Sequence, residues 1–193
     1  MKKLSEQIEN YIKLNPKESQ ILDLHTYRKN YNKKEVVFRA GNIAHQIYFV
    51  AQGCVRLFYN VDGLDKTAFF YTEGQFICAG ESFTFNIPAR ENYQALEKTE
   101  LYIFTRTNIE KLTQMIPKLE VLARIAVENE LITSQRVIAS FVTKSPEERY
   151  LDLIITQPEL FQRVPQQYIA SFLGVSPETL SRIKARVYKK LRS

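Results

Sequence analysis

The sequence predicts an α+β protein: an N-terminal double-stranded β-helix (a jelly roll, or β-roll), then one long helix, then a small helical domain. Three observations predict it. Between Tyr31 and Arg106, short runs of Val, Phe, Tyr and Ile alternate with turn residues. After Arg106 the pattern becomes helical, with one stretch of about 27 residues free of Gly and Pro. Finally, residues 161–193 carry the entire surplus of positive charge: seven cations (Arg163, Arg182, Lys184, Arg186, Lys189, Lys190, Arg192) stand against one anion, Glu178. The whole chain is +6, so residues 1–160 sum to zero. Charge packed so unevenly marks the end that meets a polyanion.

At the N-terminus, Leu4, Ile8, Tyr11, Ile12 and Leu14 have the spacing of an amphipathic helix. The strands expected next are Val36–Arg39, Gln46–Ala51, Val55–Val61, Ala68–Tyr71, Gln75–Ile77, Tyr93–Leu96 and Leu101–Thr105, punctuated by Gly41, Gly53, Gly63 and Gly74. Asp62–Gly63 suits the tight turn of a hairpin. Thr107 to Glu110 reads as a capping box that opens a short helix ending before Pro117. From Pro117 a second helix runs to about Lys144, extending about 40 Å. Its apolar residues lie on more than one face, so a second copy of the chain is expected to cover part of it. The seam expected for that dimer follows Leu122, Ile125, Asn129, Ile132, Arg136 and Ala139, with Asn129 fixing register. Ser145-Pro-Glu-Glu148 caps a further helix. The expected domains are therefore 1–116, 117–144 and 145–193, with a hinge at about Thr143–Ser145.

The segment QQYIASFLGVSPETLSRIKA, from Gln166, carries the pattern of a helix-turn-helix. Ile169, Leu173, Val175, Leu180 and Ile183 are apolar where two short crossing helices pack, and Ala170 falls at their closest approach. Gly174 supplies the positive φ that closes the turn. Ser176 can cap the second helix, Pro177 suits its first position, and Glu178 favours the positive end of its dipole.

With the whole order in view, the chain resembles the Crp/Fnr transcription regulators, over about residues 20 to 190. The resemblance rests on VVFRAGNIAHQIYFVAQGCVRLFYNVDG and EGQFI in the β-roll, and on YIASFLGVSPETLSRIKARV near the end. It implies a cytoplasmic homodimer bound to a palindromic site on double-stranded DNA. It also implies a sensor β-roll for a small-molecule effector, RNA polymerase as a further partner, and no enzymatic activity. In the family's recognition helix an Arg-Glu-Thr-x-x-x-Arg run reads bases; Pro177, Glu178, Thr179 and Arg182 match it here. Glu178 would accept from a cytosine amino group and Arg182 would donate to guanine O6 and N7. Pro177 replaces the first Arg, so the preferred sequence is expected to differ. Gln167, Ser176 and Thr179 match phosphate contacts, which orient without specifying; Arg186 and Lys189 extend the same basic face. The wing expected after the recognition helix is reduced or absent.

The effector pocket departs from the family. A cyclic nucleotide needs a Gly-Glu for its ribose and an Arg-Ser/Thr pair for its phosphate. Cys78-Ala79 stand where Gly-Glu belongs, with Gly80-Glu81 two residues late, and Arg90 is followed by Glu91. A carboxylate beside an anion repels it, at a cost on the order of 1 kcal/mol when partly buried. Cyclic AMP is therefore not expected to be the effector; a β-roll without ligand, or with a different small ligand, is. No cofactor is expected. Two cysteines, Cys54 and Cys78, are too few for an iron–sulfur cluster, usually held by four. The two histidines, His25 and His45, do not form a cupin-type metal set or a recognisable haem context. No run approaches the roughly 18 apolar residues of a membrane span, and no secretory signal opens the chain. The competing reading is a regulatory module whose basic amphipathic end, with Leu180, Ile183, Val187 and Leu191 on one stripe, acts at anionic membranes or on a protein partner.

Overall fold

The computed structural model describes residues 3–190, and for Lys190 the backbone only. Leu191 and Arg192, counted above in the apolar stripe and the basic end, lie outside the described residues, as does the Lys190 side chain. Two short helices, α1 (Leu4–Gln7) and α2 (Pro16–His25), lead into strands β1 (Tyr27–Tyr31), β2 (Val36–Phe38), β3 (Gln46–Gln52), β4 (Val55–Val61), β5 (Leu64–Tyr71) and β6 (Phe76–Ile77). Helix α3 (Gly80–Phe85), strands β7 (Asn92–Ala95) and β8 (Thr99–Thr105), and helices α4 (Arg106–Met115) and α5 (Lys118–Thr143) follow. Helices α6 (Pro146–Thr156), α7 (Leu160–Arg163), α8 (Gln166–Phe172) and α9 (Pro177–Lys190) complete the described residues.

The strands form two four-stranded sheets, β1-β8-β3-β6 and β2-β7-β4-β5. Most neighbours are far apart in sequence, as a β-roll requires: Tyr27 pairs with Ile103, and Gln46 with Thr105. Antiparallel pairing of remote strands closes the two layers on each other; on one face of β3 and β8, Tyr48, Val50, Leu101 and Ile103 are almost wholly buried, and on the other Phe49 packs with the helices. Gly53 shows how tightly the layers turn. Its φ is +106°, and a Cβ there would lie 2.4 Å from Thr99 Oγ1 and 2.7 Å from the Thr99 Cα. At the β4–β5 turn, Asp62 (φ 52°) and Gly63 (φ 79°) both take left-handed backbone, the geometry that matches strand twist in a two-residue hairpin.

By compactness the chain forms two units, residues 1–57 with 70–131, and residues 58–69 with 132–193. The division therefore falls inside α5. In the first unit Leu4, Ile8, Ile12 and Leu22 pack with Phe49, Tyr102, Phe104, Leu112, Ile116, Leu119 and Leu122. In the second, the edge of β5 meets α8: the Thr67 N–H donates to Ser171 Oγ at 2.9 Å.

Several local expectations need correction. The N-terminal amphipathic helix shrinks to the four residues of α1, although Leu4, Ile8 and Ile12 are buried as its pattern required. The N-cap of α4 is Thr105, whose side chain accepts from Asn108 N at 3.2 Å, two residues before the Thr107 capping box. Thr105 ends β8 in extended backbone, which is the conformation an N-cap needs. Leu122, placed in the dimer seam, is only 6% exposed and belongs to the first unit's own core. Strand β1 and helices α2 and α3 were not expected.

Substituting Gly53→Ala should strain the backbone and drive a methyl into Thr99, lowering stability by about 2–4 kcal/mol. Urea denaturation followed by circular dichroism should show a lower midpoint at an unchanged slope.

Candidate nucleic-acid interface

The last four helices are assembled by burial of one stripe from each. Leu153, Leu160, Val164, Ile169, Ala170, Leu173, Leu180, Ile183 and Val187 are all at most 5% exposed. Helices α8 and α9 pack across a turn built as the sequence requires. Gly174 has φ +70°, and Val175 N–H reaches back to Ala170 O at 3.0 Å, which closes the end of α8. Ser176 Oγ accepts from Thr179 N at 3.2 Å, capping α9.

Burying Leu180, Ile183 and Val187 turns the opposite side of α9 outward. Glu178, Arg182, Arg186 and Lys189 follow helical spacing along that face, and all four are exposed. Pro177 and Ser176 are exposed at its start, Thr179 is half-buried, and Gln167 is exposed in the first turn of α8. The apolar stripe that would have served a membrane-binding helix is therefore spent on the fold. Among the described residues no helix is long and apolar enough to cross a membrane.

The outward face is not uniformly basic. The Glu178 carboxyl is held below its usual range, first by a hydrogen bond from the Ser176 hydroxyl, then by a backbone N–H, with Arg182 adding attraction. Arg186 Nε lies 3.4 Å from Glu147 Oε2 of α6. Lys184 sits over the Phe161 ring and is partly desolvated, which lowers its pKa.

Sequence reasoning missed the residue that fixes the turn. Arg149, on α6, donates through Nε (3.3 Å) and Nη2 (2.9 Å) to the Leu173 carbonyl at the end of α8, and through Nη1 (2.7 Å) to the Lys144 carbonyl just past α5. Its guanidinium also stacks on Phe141, 4.4 Å from the ring centroid. A Cβ on Gly174 would come within 2.9 Å of that same Phe141 ring, so the turn and the end of α5 are fitted to each other. No periodicity or charge run singles out one Arg in PEERY; its role appears only when two helix ends converge.

In the β-roll, Ala79 is buried and precedes α3, while Gly80 and Glu81 are exposed in the first turn of that helix. Arg90 is exposed, and its backbone N–H donates to the Glu91 carboxylate at 3.1 Å. Burial pushes the Cys78 thiol up to about 12; Glu91 and Glu130 reinforce the shift and Arg106 opposes it. Tyr71 donates to Glu130 Oε1 of α5 at 2.9 Å, and that carboxyl is raised by desolvation although the residue as a whole is exposed. Cys54 and Cys78 are free thiols, His25 and His45 are exposed, and the described residues contain no group of three or more His, Cys, Asp or Glu placed to hold a metal.

On α5 the surroundings of the expected seam differ along its length. Ile125 is half-buried, whereas Asn129, Ile132, Arg136 and Ala139 are exposed, together with Val127, Leu131, Ile138, Phe141 and Val142.

Residues 28–115 match the cyclic nucleotide-binding domain family. No curated protein sequence matches. Among solved structures, FixK2 from Bradyrhizobium japonicum superposes with a TM-score of 0.71 at 19% identity, covering 86% of this chain and 85% of its own. CLP from Xanthomonas campestris, described as a c-di-GMP-responsive global regulator, gives 0.71 at 20% identity over 91% of this chain and 93% of its own. A regulator from Eubacterium rectale assigned to the Crp/Fnr family gives 0.70 at 14% identity over 95% and 87%. The chain thus shares the fold of these proteins, and its residues 28–115 match the cyclic nucleotide-binding domain family.

Replacing Arg149 by Ala should strand the Leu173 and Lys144 carbonyls and remove the stacking on Phe141. Partial access of water softens the loss, to about 1–3 kcal/mol. Hydrogen exchange should show the amides of α8 and α9 opening more often, with Arg149→Lys restoring only part of the protection because lysine lacks the planar fork.

Proposed function

We propose that this chain is a sequence-specific DNA-binding transcription regulator of the Crp/Fnr type, acting as a homodimer on a palindromic site. The observation that carries the reading is the division of α9 into a buried stripe, Leu180, Ile183 and Val187, and an exposed face bearing Glu178, Arg182, Arg186 and Lys189. A helix fixed on one side by a core, capped at its N-terminus and charged on the other is what entry into a major groove requires. Glu178 and Arg182 are assigned to base edges, a cytosine amino group and a guanine respectively. Gln167, Ser176, Thr179 and Lys189 are assigned to phosphates. Arg186 must leave Glu147 to join them; an exposed ion pair is worth only about 0–1 kcal/mol, so a phosphate can displace the carboxylate. Pro177 has no side-chain donor, so the base pair that the family's first Arg would read is left to other contacts.

Homodimerisation through α5 is supported by the exposed apolar residues of its C-terminal part, Val127, Leu131, Ile132, Ile138, Phe141 and Val142. With Leu122 committed to the core, the seam consists of Ile125, Asn129, Ile132 and Arg136, continued by the residues after them. Twofold symmetry then presents two recognition helices to major grooves about 34 Å apart. RNA polymerase would be the further partner of the DNA-bound dimer, and the cytoplasm its setting.

Cyclic AMP does not serve as the effector in this reading. The Glu91 carboxylate already accepts from the Arg90 backbone N–H, adding negative charge where the cyclic phosphate would sit. The related CLP is described as responding to c-di-GMP, so this architecture does not by itself prescribe cyclic AMP. A small molecule of another class, or no ligand, is assigned to the β-roll, and no metal or cofactor takes part.

Affinity for a preferred duplex should fall steeply with salt, since several cations displace condensed counterions. Arg182→Ala should cost about 1–3 kcal/mol on that duplex and flatten the preference at one base pair of each half-site. Lys189→Ala should weaken all duplexes about equally. Fluorescence anisotropy across a salt series checks both; an Arg182→Ala protein with unchanged affinity and preference would remove α9 as the reading helix. Ile132→Glu should weaken dimerisation and DNA affinity together, as sedimentation and anisotropy on the same preparation would show. A monomer of undiminished DNA affinity would contradict the dimer.

A further inference from the structure

The two side chains assigned to base edges are tied together by hydroxyls. Ser176 Oγ accepts from the Thr179 N–H at 3.2 Å and donates to Thr179 Oγ1 at 3.2 Å. Arg182 Nη2 donates to the same Thr179 Oγ1, also at 3.2 Å. The single Ser176 proton is shared between Thr179 Oγ1 and, at the other end, the Glu178 carboxyl. The chain Glu178–Ser176–Thr179–Arg182 therefore runs across the first turns of α9.

A threonine hydroxyl has two acceptor positions and one proton. Both acceptor positions of Thr179 are occupied, one by Ser176 and one by Arg182, so its proton is left to donate outward. The branched Cβ restricts χ1, and the residue is half-buried, so its oxygen is a fixed point in space. Arg182, by contrast, is exposed and has a long side chain whose free rotation must be lost when it reads a base edge. An anchor three residues earlier on the same helix face orders the guanidinium before DNA arrives.

We infer that Thr179 is a specificity-determining positioning residue, which holds the Arg182 guanidinium in its base-reading orientation in addition to touching a phosphate. The role rests on the DNA-binding reading above. It also makes a distinction that a phosphate contact alone does not. A phosphate contact contributes equally on every sequence, whereas a positioning contact contributes only where Arg182 meets its base.

The test is a double-mutant cycle on the full-length protein, with Thr179→Val, Arg182→Ala and the double variant. Each is measured on the preferred duplex, and on duplexes substituted one base pair at a time. Valine keeps the branched shape and removes the oxygen; Thr179→Ala, which favours helix, is measured beside it should valine fold poorly. Thr179→Val should lower affinity for the preferred duplex about 5- to 20-fold and flatten preference at the same base pair that Arg182→Ala flattens. In the Arg182→Ala background the same substitution should cost no more than about 2-fold, the part due to phosphate. Thr179→Ser, which retains the acceptor, should recover preference to within about 3-fold. Additive losses, with Thr179→Val weakening every duplex by one factor, would overturn the positioning role while leaving sequence-specific binding intact. A wild-type protein without sequence preference would instead overturn the DNA reading, and this role with it.

Discussion

A helix end leaves carbonyl groups without partners, and in the C-terminal unit two such ends depend on one guanidinium. Arg149 satisfies the Leu173 carbonyl at the close of α8 and the Lys144 carbonyl just beyond α5, while its flat face rests on Phe141. The planar fork matters, because three donations to two carbonyls in fixed directions are beyond an ammonium group. Gly174 is constrained by the same cluster, since the Phe141 ring leaves no room for a Cβ. This contact holds the close of α8 against the end of α5, and the buried stripe of Leu180, Ile183 and Val187 then sets the face that α9 turns outward.

From that constraint the charge pattern acquires its meaning. Three of the described cations of α9 are held by neighbours. Lys184 is partly withdrawn over Phe161, Arg186 is shared with Glu147, and Arg182 rests on Thr179. What remains is an ordered array along one face, in which Glu178 is the single carboxylate beside the exposed cations of α9. In the DNA-binding reading proposed above, such an array discriminates among sequences, because a carboxylate is tolerated near the phosphates only where a base donor offsets it. In the β-roll, electrostatics run in the opposite sense: Glu91 and Glu130 both act on Cys78, and the Glu91 carboxylate is bonded beside Arg90.

Much of the fold was legible because its strongest signals are local. The strand Val55–Val61 and the turn at Asp62–Gly63 stand where alternation and turn chemistry put them. The same holds for the box at Ser145–Glu148 and the positive φ of Gly174. The failures occurred where tertiary context decides. Thr105 rather than Thr107 caps α4 because a strand ends there in extended backbone. Strand β1, polar along most of its length, is held by pairing with β8 rather than by an apolar pattern of its own. Leu122 fits a heptad seam as well as it fits a core, and only the packing of α1, α2 and α4 around it settles the choice. In α9 the outward residues were legible from spacing. The hydroxyl chain through Thr179 and the Arg149 clamp were not, because both depend on directions of donors that sequence does not carry.

The central claim is that two copies of α9 read one palindromic duplex, and repeated selection from a random duplex pool tests it most directly. The account predicts enrichment of an inverted repeat with half-site centres about 10 base pairs apart, bound by two chains per duplex. Convergence on no sequence, or on a single half-site bound by one chain, would contradict it.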